Sequence, residues 1–229
     1  MRPAGDPAMP AAQARRIARA FIGGRFDRYH YYYGIGKLRT DPLYPAVVDA
    51  LRGCQAPVLD IGCGLGLLAH VLRDAGIDVA YLGLDVDAGK IGRAIDAADR
   101  AGLSQVRYVA GDAGQPLPPH AGSVALLDVL QYLTPQAQDG LLQAAAERLT
   151  PGARLVIRSG IDGPGARSRI TIATDRIANA IGWMTAPVQF PTLAWFDERL
   201  AALDLSVRKR PLYGRTPFNN WLIIATRGA

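Results

Sequence analysis

The chain has 229 residues, 49% of them hydrophobic, which suffices for the core of one α/β domain with a small added cap. It contains no run of ~18 uninterrupted apolar residues, and Met1–Pro10 has no apolar signal-peptide core, so the expected location is the cytoplasm and no transmembrane segment is expected. The formal charge of +6 favours acidic partners. The two cysteines, Cys54 and Cys63, suggest no disulfide framework, and the scattered His30, His70 and His120 show no metal-ligand spacing.

The first 13 residues are Pro- and Ala-rich and read as a flexible tail, leaving 14–229 as a single domain. Ala14–Phe26 predicts a short amphipathic helix ended by Gly23-Gly24. An aromatic run, Tyr29–Asp41, follows, and with its flanks (14–45) it is placed as an N-terminal lid. The positive charge is concentrated here, in Arg15, Arg16, Arg19, Arg25, Arg28, Lys37 and Arg39; it fits either an ordinary solvated face or a surface for an acidic carrier protein. Pro45–Gly53 reads as a helix.

From Pro57 the pattern alternates. Strands are expected at Val58–Ile61, Asp78–Leu84, Val106–Ala110, Val124–Leu130 and Arg154–Arg158, with helices at Leu67–Ala75, Ala88–Ala101 and Pro135–Leu149. Such alternation predicts a Rossmann-like, doubly wound, mostly parallel sheet. Arg167–Met184 and Leu193–Leu203 read as two helices of a small cap inserted at 166–200. Ser206–Leu212 and Trp221–Thr226 read as strands whose short link permits only an antiparallel hairpin.

Val58–Gly66 runs from a strand into Gly62-Cys63-Gly64-Leu65-Gly66 and then a helix, the arrangement of a nucleotide loop. The spacing is Gly-x-Gly-x-Gly, and Asp60 stands two residues before the first glycine. That carboxylate would repel a pyrophosphate and attract a ligand carrying an amine and a sulfonium. Asp85 closes the second strand about twenty residues on, where an acid can accept from both ribose hydroxyls. Asp112 and Asp128 stand at the ends of the third and fourth strands, so four successive strands each bring an acid to the crevice edge. Helix capping is the competing account of any one of them.

These residues resemble the class I S-adenosylmethionine-dependent methyltransferases, from about Val47 to Thr226. The resemblance covers the glycine motif, Asp85, Gly111-Asp112-Ala113 and Leu149–Ile157, where Ala153 replaces a glycine. It implies S-adenosyl-L-methionine as cofactor and S-adenosyl-L-homocysteine as product. By resemblance, Asp60 and Gly62 lie near the methionine moiety, Asp85 and Val86 hold the ribose and flank the adenine, and Asp112 and Ala113 contact the adenine; Cys63, Gly64 and Gly66 of the loop and Asp128, read as pocket floor, complete the expected cofactor contacts. The acid of the family's F-D-x-V segment is absent at Val124-Ala125-Leu126. The Asn/Asp-Pro-Pro-Tyr signature of base-methylating enzymes is also missing, so nucleic acid is not the expected acceptor. More narrowly, Tyr31–Tyr44, Leu127–Leu133 and Thr216–Asn220 are similar to small methyltransferases of aryl polyene pigment clusters, with Gln131 where that pattern has a histidine.

Methyl transfer needs alignment and exclusion of water, and a hydroxyl acceptor also needs a base. The candidates are His30, Tyr32, Tyr33 and Asp128, with Tyr31–Tyr33 serving either as a lid or as core packing. Ile170, Ile177, Ile181, Trp183 and Met184, closed by Pro187–Pro191 and Trp195-Phe196, would line an acceptor pocket or form a core stripe. The expected reaction is methylation, at oxygen, of a small or carrier-tethered aromatic or acyl acceptor. A metabolite enzyme without a carrier and a non-catalytic cofactor-binding scaffold are the alternatives.

Overall fold

The computed structural model describes residues 8–23, 28–170, 173, 188–214 and 216–227. Seven strands form one sheet in the order β3-β2-β1-β4-β5-β7-β6. The strands are β1 (Val58–Ile61), β2 (Tyr81–Asp85), β3 (Val106–Ala110), β4 (Ser123–Leu127), β5 (Arg154–Gly160), β6 (Leu205–Pro211) and β7 (Asn220–Arg227). The first five are mutually parallel, while β7 is antiparallel to both β5 and β6. The doubly wound sheet with its C-terminal hairpin is therefore as the sequence predicts. No helix among the described residues is long and apolar enough to cross a membrane.

Side-chain alternation splits the core between the two faces. Leu59, Ile61, Leu126 and Ile157 pack with Leu141, Leu142, Phe196 and Leu200 on one face, from α6 (Pro135–Glu147) and α7 (Leu193–Ala202). Val58, Ala125 and Val156 face the other side, covered by α1 (Ala11–Ala18), α3 (Leu43–Leu51), α4 (Leu67–Asp74) and α5 (Ala88–Arg100). The central strands β1, β4 and β5 thus bury both faces, which explains why they read as near-continuous apolar runs. Pro135 sits in the first turn of α6, and the Thr134 hydroxyl accepts the Ala137 N–H as its cap.

Several boundaries move. The first helix begins at Ala11, inside the expected tail, because the Ala14 N–H reaches the Pro10 carbonyl and Met9 is buried. The second strand starts at Tyr81, not Asp78, because the Ile77 and Val79 carbonyls are taken by the Arg73 guanidinium. The fourth strand stops at Leu127, because Asp128 has φ +60° and the chain turns into a 3-10 helix at Leu130–Tyr132. The aromatic run is a helix, α2 (Tyr29–Thr40), crossing α1 where Gly34 faces Ala18. Residues 166–170 begin a helix, but Arg25, Ile177, Ile181, Trp183, Met184 and Pro187 lie outside the described residues.

Candidate cofactor and acceptor cavity

The strand order reverses between β1 and β4, so the carboxyl ends of these two strands part and leave a crevice. A cavity of about 790 Å³ fills it. Its wall includes Asp60, Gly62, Cys63, Gly64, Asp85, Val86, Asp112, Ala113 and Asp128. Gly66 lies just beyond, as the left-handed N-cap of α4, with φ +73°. A Cβ there would meet the Tyr108 hydroxyl at 2.3 Å, so the position admits only glycine.

The loop is held down by backbone and carboxylate bonds. The Gly62 and Cys63 N–H groups donate to the Leu84 carbonyl at 2.7 and 3.0 Å. Asp85 Oδ2 accepts from the Gly64 N–H at 2.8 Å, and its Oδ1 from the Asp87 N–H at 3.0 Å. Asp85 therefore ties the loop to β2 while lining the cavity. The acid that caps α5 is Asp87, which accepts from Gly89 and Lys90, so capping is not what places Asp85. Gly64, at φ +56°, faces open space: a Cβ built on it meets nothing within 4 Å. Asp112 Oδ1 accepts from the Gly114 N–H at 2.8 Å in a local turn.

Asp60 is 2% exposed. Its Oδ2 accepts a 2.5 Å bond from the Tyr81 hydroxyl, and its Oδ1 has no hydrogen-bond partner among the described residues. Burial pushes its pKa up to about 7, the Tyr81 bond opposing and the nearby Asp85 charge adding to the rise. An orphaned carboxylate oxygen in the cavity wall fits a cationic ligand group, because an ammonium or sulfonium would satisfy it.

The other end of the cavity holds a charge cluster only partly visible in the sequence. Arg158, the buried arginine of β5, donates through Nη2 to Asp41 at 2.7 Å and also to Asp128. Lys37 from α2 donates to Asp41 at 2.6 Å and lies 3.8 Å from Asp128. Burial raises the Asp128 pKa, with Arg158 and Lys37 pulling the other way. At Asp41 burial also opposes ionisation, but the two cations prevail and the pKa is lowered. Arg158 and Asp41 were not among the residues expected at the site; the available signal was a charge closing the apolar run Leu155–Ile157.

The catalytic candidates separate. Tyr33, Lys37 and Asp128 line the cavity, joined by Tyr44 and Tyr132. His30 lies outside the cavity wall, its Nδ1 3.4 Å from Arg93 Nη1 on α5. Tyr32 is 62% exposed and also lies outside the wall. In the expected cap, Phe196 is wholly buried in the core beneath the sheet and Trp195 donates to Asp139, so neither covers this cavity. Ile170 is 43% exposed and does not reach it either.

Residues 58–152 match the profile of a family described as "Methyltransferase domain". No curated protein matches the chain by sequence. Among solved structures, the magnesium protoporphyrin IX methyltransferase of Synechocystis PCC 6803, with bound S-adenosylhomocysteine, is similar at 19% identity and TM-score 0.66, over 95% of this chain and 93% of that one. An O-methyltransferase family protein from Burkholderia thailandensis matches at 18% identity and TM-score 0.63, over 89% and 61%. An O-methyltransferase of neocarzinostatin biosynthesis, in complex with S-adenosylmethionine and a hydroxynaphthoic acid, matches at 21% identity and TM-score 0.57, over 82% and 57%. The chain spans about three fifths of the length of these last two. At these identities the structural likenesses establish the fold, and residues 58–152 carry the likeness to a methyltransferase domain.

Proposed function

We propose that this methyltransferase acts on a hydroxyl oxygen of a small aromatic or acyl acceptor seated between α2 and the ends of β1 and β4. The observation that carries the reading is the pairing, in one cavity, of an orphaned buried carboxylate at Asp60 with a separate proton-accepting group at Asp128. The cofactor supplies an activated methyl group on a cationic sulfur.

Asp60 meets the cationic end of the cofactor, and the loop Gly62–Gly66 gives it backbone contact. Asp85 accepts from the ribose hydroxyls with the lone pairs not used by Gly64 and Asp87. Val86 and Ala113 flank the adenine, and Asp112 accepts from its amine. At the acceptor end, Tyr33 and Tyr132 offer ring faces and exclude water. Asp128, with its raised affinity for a proton, takes the hydroxyl proton, and Arg158 and Lys37 hold it in place. The region 14–45 works as the lid and the chain as one cytoplasmic domain. Hydroxyaryl groups, free or on a carrier-bound acyl chain as in aryl polyene clusters, are the acceptors to test first.

The test is transfer of labelled methyl from S-adenosylmethionine to a panel of hydroxyaryl and carrier-bound acyl compounds, with the methylated atom read by mass spectrometry. Oxygen-linked label, lost in Asp85→Ala, supports the reading. Label on nitrogen or carbon overturns the choice of oxygen, and turnover unchanged in Asp85→Ala removes that residue from the site. No transfer to any acceptor, with cofactor binding intact, favours a scaffold.

A further inference from the structure

We infer that the chain has a second site, for a multivalent oxyanion of the phosphate type, at the edge of the sheet opposite the methyl-transfer cavity. The inference does not rest on the reading of that cavity. A recess of about 620 Å³ lies where the carboxyl ends of α4 and α5 meet α1 and its 3-10 extension Arg19–Phe21. It is a full helix length from the glycine loop, because α4 begins at that loop and ends here. Its wall carries Arg16, Arg19, Arg73 and Arg100 against one carboxylate, Asp74, with Ile17, Ala20 and Leu103 among the apolar residues.

One buried nitrogen in this wall, Nε2 of His70, lacks a hydrogen-bond partner among the described residues, while Nε of Arg73 is ion-paired with Asp78 at 3.6 Å. His70 is 5% exposed and packs its ring against Phe21 at 4.8 Å. Burial, with Arg100 adding to it, lowers its pKa to about 4, so the ring is neutral when the recess holds no counter-charge. Helix-dipole complementarity accounts for arginines in the last turns of α4 and α5. The same complementarity places Arg16 in the last turn of α1 and Arg19 at its C-cap, so three helix ends bring four guanidinium groups to one recess. It does not account for the buried, unsatisfied Nε2 of His70 at the same spot, which is costly unless something satisfies it.

The cations hold each other in reach. Arg100 Nε donates to the Ala20 carbonyl, and Arg73 donates to the Ile77, Val79 and Ser104 carbonyls, so both guanidinium groups are positioned before any ligand arrives. Arg16 is engaged with Asp74, while Arg19 makes no ion pair among the described residues. Guanidinium forks suit phosphate oxygens, and a doubly charged anion would outcompete the single carboxylate for Arg16. The same placement bears on the expected carrier surface. Arg16 and Arg19 border this recess, so a carrier docked on them would sit at the wrong edge of the sheet to deliver an acceptor.

The test uses the full chain and inorganic pyrophosphate, with ADP as the esterified form of the same group and potassium chloride as the ionic-strength control. Calorimetry should show saturable binding of pyrophosphate, unaffected by S-adenosylhomocysteine. Arg19→Gln should weaken it at least about fivefold, since a charged hydrogen-bond donor is lost. Asp74→Asn should tighten it, which a purely structural role would not produce. The His70 ring signals, followed by nuclear magnetic resonance, should move toward the protonated form on saturation. Equal binding of ADP would assign the natural ligand to phosphate esters, and binding of pyrophosphate alone to the free anion. Non-saturable binding, indifference to both substitutions, or competition by S-adenosylhomocysteine overturns the proposal.

Discussion

Asp60 shows how one buried carboxyl can couple proton, cofactor and stability. Its pKa near 7 lies above the ordinary 3.8, so between those values the folded chain holds a proton that the unfolded chain has released. Stability from this group is therefore greatest at low pH and declines as pH rises through that window. Asp60→Asn should raise the stability of the free protein by ~1–3 kcal/mol above pH ~8 and leave it nearly unchanged well below pH ~4, read by denaturant melts. Binding has the opposite sign. A cationic ligand needs the ionised form, so wild-type affinity for S-adenosylhomocysteine should climb as pH rises toward about 7 and level off above it. The Asn variant should bind weakly and without that pH dependence. A wild-type affinity that is flat across this range would remove Asp60 from contact with the ligand's ammonium group, the one positive charge that S-adenosylhomocysteine carries.

At the scale of elements, the charge cluster fastens α2 to the sheet. Lys37 and Asp41 come from α2 and its C-terminal end, Arg158 from β5, and Asp128 from the turn after β4. Arg158 is 4% exposed and serves both carboxylates. Removing one member of a buried ionic group leaves its partners uncompensated and typically costs ~3–5 kcal/mol. Arg158→Met should therefore lose about that much in a denaturant titration. Adding Asp128→Asn should recover part of it, because one of the two stranded charges is gone. A loss below ~1 kcal/mol in the single variant would mean that α2 is held by its apolar contacts alone, through Leu38 and the Gly34–Ala18 crossing.

For the whole molecule, a ligand that binds only the folded chain adds RT ln(1 + [L]/Kd) to its stability, ~2.7 kcal/mol at a hundredfold excess over Kd. For a chain of 229 residues this predicts that S-adenosylhomocysteine raises Tm by ~5–10 °C. Calorimetric or fluorescence melts check it, and no rise at saturation would contradict binding to the native fold.

The alternating apolar runs determined the fold class, because parallel strands buried on both faces need continuous hydrophobic sequence, as in Val124–Leu127. The glycines at 62, 64 and 66 and the acids that follow marked the cofactor edge, because such loops are local in sequence. Residues far apart were beyond that reach. Asp41 and Arg158 are 117 positions apart and meet only because α2 folds across the end of β5. His30 and Tyr33 stand one turn apart on the same side of one helix, yet only Tyr33 enters the cavity, since the step along the helix axis leaves His30 beside Arg93 of α5. Local pattern determined the elements and the loop, while packing decided which side chains share a site.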